Sequence, residues 1–230
     1  MRRRLDPLGS GSQACRPWCK MSINSIHPTS IIEPGVVLGH SNRIGPYCHI
    51  YNGVQIGDGN IFEGYASVGS PAEKRGFFSL KSPHGVVIGN ENVIREFVTV
   101  NAGTRRHTVM GNNCTMLRGS HLSHDSILED GVTVSCTAMI GGESHVMIGA
   151  NLGLGAVLHQ FSVVGSYSMI GMGAVCTKTL QMKPGGVYVG NPARYLKQNS
   201  IGLKRAGIDG PVALNAEALR WEKLRETNPC

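Results

Sequence analysis

The sequence predicts an all-β protein: a left-handed triangular parallel β-helix built of hexapeptide repeats, ending in a short α-helical tail. Three observations point to it. Large apolar residues recur at every sixth position, glycine directly follows many of them, and aromatic residues make up only 6% of the chain. Counting by six from Ile26 meets Ile32, Leu38, Ile44, Ile50, Ile56, Phe62 and Val68. The count resumes at Ile88, Ile94 and Val100, and again from Met110 in unbroken steps to Ile170. A helix repeats every ~3.6 residues and a simple strand every ~2, and neither yields a strict step of six. A prism does. Each hexad supplies one short strand and one corner, and three hexads close a coil of about 18 residues. The large aliphatic side chain points inward from each face. The residue four positions later, such as Asn42, Cys48 or Ala66, packs inside the corner, and Gly or Asn takes the turn conformation with positive φ.

The count breaks twice, at Ser70–Gly85 (SPAEKRGFFSLKSPHG) and at Asn101–Val109 (NAGTRRHTV). Both stretches are largely polar or basic and lie between intact hexads. They read as loops extruded from the coil, and loops on a rigid scaffold are where ligands are usually gripped. The hexads end near residue 182, which assigns 21–190 to the β-helix and 191–230 to a short helical segment. In that segment Asn215 is a candidate N-cap before the helix formers of NAEALRWEKLRE. Residues 1–20, MRRRLDPLGSGSQACRPWCK, carry no hexad and are Arg-rich. They read as an N-terminal extension, either a transit peptide or a cloning remnant.

With 41% hydrophobic and 16% charged residues, the 230-residue chain is able to bury a core. No apolar stretch approaches the ~18–20 residues of a membrane span. The net charge of +7 suits an acidic partner such as a phosphate ligand or an acidic carrier protein. Nucleic acid is not expected, because no basic run is interleaved with aromatics. The seven cysteines, at 15, 19, 48, 114, 136, 176 and 230, are odd in number and irregular in spacing. That fits reduced thiols in a soluble intracellular protein, mitochondrial if residues 1–20 are a presequence and cytoplasmic otherwise.

Residues 18 apart should stack in columns at the strand spacing of ~4.8 Å. His124 then falls in a column with Gly142 and Gln160, Asp125 with Glu143 and Phe161, and Ser123 with Gly141 and His159. So His121, His124, Asp125, Glu143, His159 and Gln160 share one edge of the prism over three rungs, with His145 one strand position further round. On the residues alone three readings of the HLSHD stretch stand: a general base beside its orienting carboxylate, a metal site, or solvated surface histidines.

The hexads of residues 26–176, HLSHDS at 121–126, AVLHQFSVVG at 156–165 and GNPARYLKQNSIGLKRAGI at 190–208 carry a family resemblance. Over about residues 21–208 they resemble the UDP-N-acetylglucosamine O-acyltransferases of lipid A biosynthesis. The resemblance implies a homotrimer with active sites between neighbouring prisms, and no metal or other cofactor. It implies transfer of an (R)-3-hydroxyacyl group from acyl carrier protein to the 3-hydroxyl of UDP-N-acetylglucosamine. His124 matches the catalytic base, Asp125 its orienting carboxylate, His121 a second histidine of the cleft, and His159 and Gln160 the HQ pair there. The family has an oxyanion-binding amide near Gly142. Asn199 and Arg205 match positions that contact acyl-chain or nucleotide phosphate groups, and Lys74 a lysine near the substrate. There are departures. Glu143 stands where the family usually has a histidine that meets the nucleotide, and His145 lies two residues on. Asn101 stands where an HRGT motif often has His, and Ile201 replaces the usual Glu. About 25 residues follow Arg205, where the family has a helical domain of several helices. The alternatives are a related N-acyl- or acetyltransferase, a carbonic anhydrase-like zinc enzyme on the same fold, and an inactive trimeric scaffold.

Overall fold

Among the described residues the chain folds into three sheets that form the faces of a prism, ten strands on the first, eight on the second and seven on the third, all parallel except the last strand of the first. The computed structural model describes residues 23–75, 82–208 and 211–227, so the extension expected over residues 1–20 lies outside the described residues. The chain visits the faces in rotation. Ser25–Ile26 lies on the first, Ile31–Ile32 on the second and Val37–Leu38 on the third, and Arg43–Ile44 returns to the first, paired with Ser25–Ile26. Corresponding residues of successive coils stand 18 apart. The spacing widens to 32 across the first loop and to 22 across the second. The ladder itself continues, with Ile56 paired to Ile88 and Val93 to Thr115. An insertion that leaves the register intact must leave and re-enter at the same corner, which is why both loops stand out from the prism.

The sixth-position residues fill the interior. Of the twenty-two, nineteen are buried; the exceptions, Ile26, Ile32 and Leu38, belong to the first described coil. Each buried aliphatic chain contributes about 1.5–3 kcal/mol by leaving water. Cys48, Cys114 and Cys176 are buried in the same core as free thiols.

The turn chemistry differs from the expectation. Most glycines that directly follow the large residues, such as Gly57, are not at positive φ; Gly69, at 90°, is the exception among the described residues. A Cβ on Gly57 would stand 2.8 Å from the Gly89 carbonyl oxygen, so the approach of the next coil excludes a side chain there. Positive φ falls two residues later and is not confined to Gly and Asn: Ser41, Tyr47, Tyr65, Phe97, Asp125, Glu143 and Phe161 all adopt it. A left-handed residue with a Cβ costs roughly 1–2 kcal/mol. The corners accept that cost at positions whose side chains form the edges of the prism.

Each edge then has its own character. On the third-to-first edge, Asn42, Asn60 and Asn92 form a buried amide ladder in which each Oδ1 accepts the backbone N–H of the next coil, at 2.9, 3.0 and 2.7 Å. The first-to-second edge carries an exposed stack of Tyr47, Tyr65 and Phe97, with ring centroids 5.0 and 5.1 Å apart. The second-to-third edge carries the HLSHD stretch.

After the last hexads, Gly186–Gly190 pairs with the antiparallel strand Ala193–Gln198. Helix α1 (Ser200–Arg205) follows, and then α2 (Pro211–Thr227). Helix α2 starts at Pro211, ahead of the expected cap Asn215; proline suits a first helical turn, where its missing N–H costs nothing. The helix lies on the third face. Trp221 is buried against Met147 and Val163, and its indole N–H donates to the Val163 carbonyl at 3.1 Å. Among the described residues no helix is long and apolar enough to cross a membrane.

Candidate active site

The strand His121–Leu122 lies on the second face and Ile127–Leu128 on the third, so Ser123–Ser126 form the corner between them. Asp125 takes the positive-φ position of that corner, at 61°. It is fully buried, and His124 is 7% exposed. The imidazole Nδ1 donates to Asp125 Oδ2 at 2.7 Å. The second loop closes over the carboxylate. Oδ1 accepts the backbone N–H groups of Thr104, Arg105 and Arg106 at 2.9, 2.8 and 3.0 Å, and Oδ2 accepts the Thr104 hydroxyl at 2.7 Å. Arg106 Nε donates to the Asp125 carbonyl at 2.8 Å, and the Asp125 N–H donates to the Thr108 hydroxyl at 2.9 Å.

Burial alone would raise the pKa of the Asp125 carboxyl. The hydrogen bonds from His124, the Arg105 and Arg106 amides and the Thr104 hydroxyl outweigh burial and hold the carboxyl well below the usual carboxylate range. An ionised Asp125 keeps the proton on Nδ1, which assigns the tautomer and leaves Nε2 as the acceptor.

Gly142 lies against that ring: a Cβ there would stand 2.7 Å from both Cε1 and Nε2 of His124. Among the described residues no acceptor takes the Gly142 N–H. Glu143 follows at φ 59° and stacks over Asp125, its N–H donating to the His124 carbonyl at 2.9 Å. The Glu143 carboxylate meets Arg105 of the second loop at 2.9 Å and Lys74 of the first at 3.9 Å. Lys74 Nζ also stands 3.5 Å from the Thr104 hydroxyl. Both loops therefore reach the same corner. On the coils below, a cavity of about 640 Å³ opens along this edge between Tyr51, Pro71, Ala102 and the edge-to-face rings of His84 and His107.

His121 is hydrogen-bonded at both ring nitrogens, to the Thr99 hydroxyl at 2.7 Å and the Ser123 hydroxyl at 3.0 Å. Its pKa is lowered, mainly by burial; His124 adds to the effect and Glu73 opposes it. His159 and Gln160 are exposed on the coil above Gly142, where Phe161 N–H donates to the Gly142 carbonyl at 2.9 Å. His159 Nδ1 donates to the Gln160 carbonyl at 2.9 Å.

Three of the residues singled out in the sequence lie elsewhere in the chain. His145 is on the third face beneath α2, where its Nε2 meets Glu129 at 2.5 Å and Glu129 in turn holds Arg220. It stands one strand position beyond the edge, as counted, and so falls in the helix-docking contact. Asn199 is the N-cap of α1: its Oδ1 accepts the Gly202 N–H at 3.2 Å, and its Nδ2 donates to the Tyr167 carbonyl at 2.8 Å, on the third-to-first edge. Arg205 is exposed in the last turn of α1. The sequence reading passed over Thr104, Arg105 and Arg106. Their signal was the NAGTRR interruption, whose Gly103 lets the loop backbone close in: a Cβ there would stand 3.1 Å from Asp125 Oδ1.

Three comparisons bear on identity. The family model described as bacterial transferase hexapeptide (six repeats) matches residues 35–70. The acyl-(acyl-carrier-protein)–UDP-N-acetylglucosamine O-acyltransferase of Sinorhizobium fredii is 35% identical over 84% of this chain and 77% of its own length. The Bartonella henselae protein of the same name is 32% identical over 82% of this chain and 75% of its own. The solved UDP-N-acetylglucosamine acyltransferase of Bacteroides fragilis superposes with a TM-score of 0.73 at 26% identity, covering 89% of this chain and 92% of that one. Identity of this extent runs through the coils that carry the His124 corner, and the chain belongs to the UDP-N-acetylglucosamine O-acyltransferase family, the hexapeptide-repeat acyltransferases of lipid A biosynthesis.

Proposed function

We propose that the chain transfers an (R)-3-hydroxyacyl group from acyl carrier protein to the 3-hydroxyl of UDP-N-acetylglucosamine, with His124 as general base. The observation that carries this reading is the His124–Asp125 contact of 2.7 Å, at a buried carboxylate beside a glycine that leaves Nε2 uncovered. The names of the relatives supply the donor and the acceptor. Nε2 takes the proton of the sugar hydroxyl as that oxygen attacks the thioester carbonyl, and Asp125 stabilises the imidazolium that forms. The Gly142 N–H faces the oxyanion of the tetrahedral intermediate. Collapse expels the carrier thiolate, which takes the proton back from Nε2.

The remaining polar groups of the edge bind. His121, Glu143, His159 and Gln160 contact the sugar, and Lys74 and Arg105 flank it with positive charge. Arg205, presented on the helix that Asn199 caps, meets a phosphate, for which a guanidinium fork is well suited. His145 acts indirectly, by holding α2 against the third face. The working unit is a homotrimer, with each cleft closed by a neighbouring prism. The exposed Tyr47, Tyr65, Phe97, Leu154 and Met172 along the first-to-second edge offer such a neighbour an apolar surface.

The test is an assay of the purified protein with UDP-N-acetylglucosamine and 3-hydroxyacyl carrier proteins of graded chain length. Transfer is expected with at least one donor. His124→Ala abolishes it while sedimentation still reports a trimer. Transfer that survives in His124→Ala defeats the base assignment, and a wild-type protein inert with every donor makes the chain a scaffold.

A further inference from the structure

We infer that Thr104 is a positioning residue of the acyl transfer, and that the second loop clamps Asp125 besides presenting Arg105 at the cleft. The inference rests on the reading of His124 as base. Five hydrogen bonds end on the Asp125 carboxylate: three from backbone amides of the loop, one from the Thr104 hydroxyl and one from His124. Thr104 supplies two of them, one to each oxygen. The amides on Oδ1 fix the plane of the carboxylate. Among the described residues the hydroxyl is the only loop donor on Oδ2, the oxygen that holds the imidazole.

Three further facts fit a clamp. Gly103 admits the loop backbone to a distance a side chain would obstruct. Arg106 Nε adds a bond to the Asp125 carbonyl, so the loop holds backbone as well as side chain. Thr104 is itself buried, and Lys74 Nζ stands 3.5 Å from its hydroxyl. A line of polar contacts therefore runs from Lys74 through Thr104 and Asp125 to His124, from the surface of the first loop to the base.

Sharing Oδ2 has a chemical consequence. The Thr104 hydroxyl draws negative charge away from the oxygen that faces Nδ1. Without it, that charge falls on the imidazole alone and favours the protonated ring. A base works only when neutral, so its loss should demand a higher pH. It should also free the carboxylate to rock about its remaining bonds, which slows the reaction without weakening substrate binding.

The experiment measures kcat and KM for the nucleotide sugar across pH in the full chain, with Thr104→Val, Thr104→Ala and Thr104→Ser. Valine keeps the branched shape and loses the donor, alanine loses both, and serine keeps the donor. Loss of one hydrogen bond to a charged group is expected to lower kcat about tenfold in the valine and alanine variants, with KM nearly unchanged. In both, the acidic limb of the kcat/KM profile moves to higher pH. Serine restores the limb, and kcat to within about twofold. If valine fails to fold, alanine carries the same reading. Wild-type rates in the valine or alanine variant overturn the inference. So does an equal loss in all three with the limb unmoved, which makes Thr104 a packing residue. Neither result touches the base assignment, which stands or falls on His124→Ala.

Discussion

Two edges of this prism are built from the same hexad and end as opposites. On the third-to-first edge the polar residues repeat in kind. Asn42, Asn60 and Asn92 satisfy one another's backbones, and outside them Asp58, Asn90, Asn112 and Asp130 do the same, each accepting the N–H of the residue one coil below at 2.6–2.8 Å. Such a column closes on itself and has nothing left for a ligand. On the second-to-third edge the inner column repeats as Ser126, Ser144 and Ser162, with the Ser144 N–H donating to the Ser126 hydroxyl at 3.2 Å, but the outer columns change residue at every coil, His124 with Gly142 and Gln160, Asp125 with Glu143 and Phe161. No ladder can form from unlike side chains. The donors come from outside the coil instead, from the loop over 102–107. On this edge the unlike outer columns are where the loop and the candidate base meet.

The widest separation of the two edges comes from Asp125→Asn. The amide keeps the volume but turns a donor toward groups that already donate, and it no longer favours the Nδ1 tautomer. Activity should fall by about a thousandfold or more, because an orienting carboxylate of this kind governs both tautomer and charge. Gly142→Ala follows. Its methyl would stand 2.7 Å from the His124 ring and must displace it. A misplacement approaching an ångström costs about a hundredfold in kcat, with unfolding temperature close to wild type. On the quiet edge, Asn60→Ala should do the reverse. It strands the Asn92 N–H and the Gly89 carbonyl in a fully buried corner, which costs about 1–3 kcal/mol apiece, while kcat of the folded fraction stays within about twofold. Denaturant unfolding and steady-state rates measured on the same preparations check all three. Asn60→Ala that slows turnover as strongly as Gly142→Ala would erase the distinction between the edges.

The same contrast explains what was legible in the sequence. The column of His124, Gly142 and Gln160 follows from counting eighteens, because a coil with a fixed repeat converts sequence distance into vertical stacking. Nineteen inward side chains follow for the same reason. The assumption failed where the repeat is broken or has ended. Thr104, Arg105 and Arg106 sit in an insertion whose path no period dictates, so nothing in NAGTRR said that its amides would turn inward onto a carboxylate. His145, inside the unbroken run, stands one strand position further round as the count has it, on the third face; what the count does not show is that α2 packs there. Asn199 and Asn215 lie beyond the last hexads. There the helix start was set by Pro211 and by Trp221 finding the notch at Met147 and Val163, a tertiary contact invisible to local pattern.

The gentlest test of the two edges is acid. Asp125 is held below the usual carboxylate range by the hydrogen bonds from His124, the Arg105 and Arg106 amides and the Thr104 hydroxyl, although burial pulls the other way. A carboxyl whose folded pKa lies below its unfolded value of about 3.9 contributes stability that is fully present above that value. The contribution fades as pH falls through the window between the two values. Wild-type stability should therefore hold from neutrality to about pH 4 as far as this group is concerned, and then decline. Asp125→Asn, which cannot titrate, should lower stability at neutral pH and show a shallower decline below it. Asn60→Ala, on an edge whose inner ladder is uncharged, should run parallel to wild type through the whole range. Unfolding free energies from urea titrations at several pH values decide it, and a variant at Asp125 that keeps the full wild-type acid slope would mean that the loop donors do not hold this carboxylate ionised.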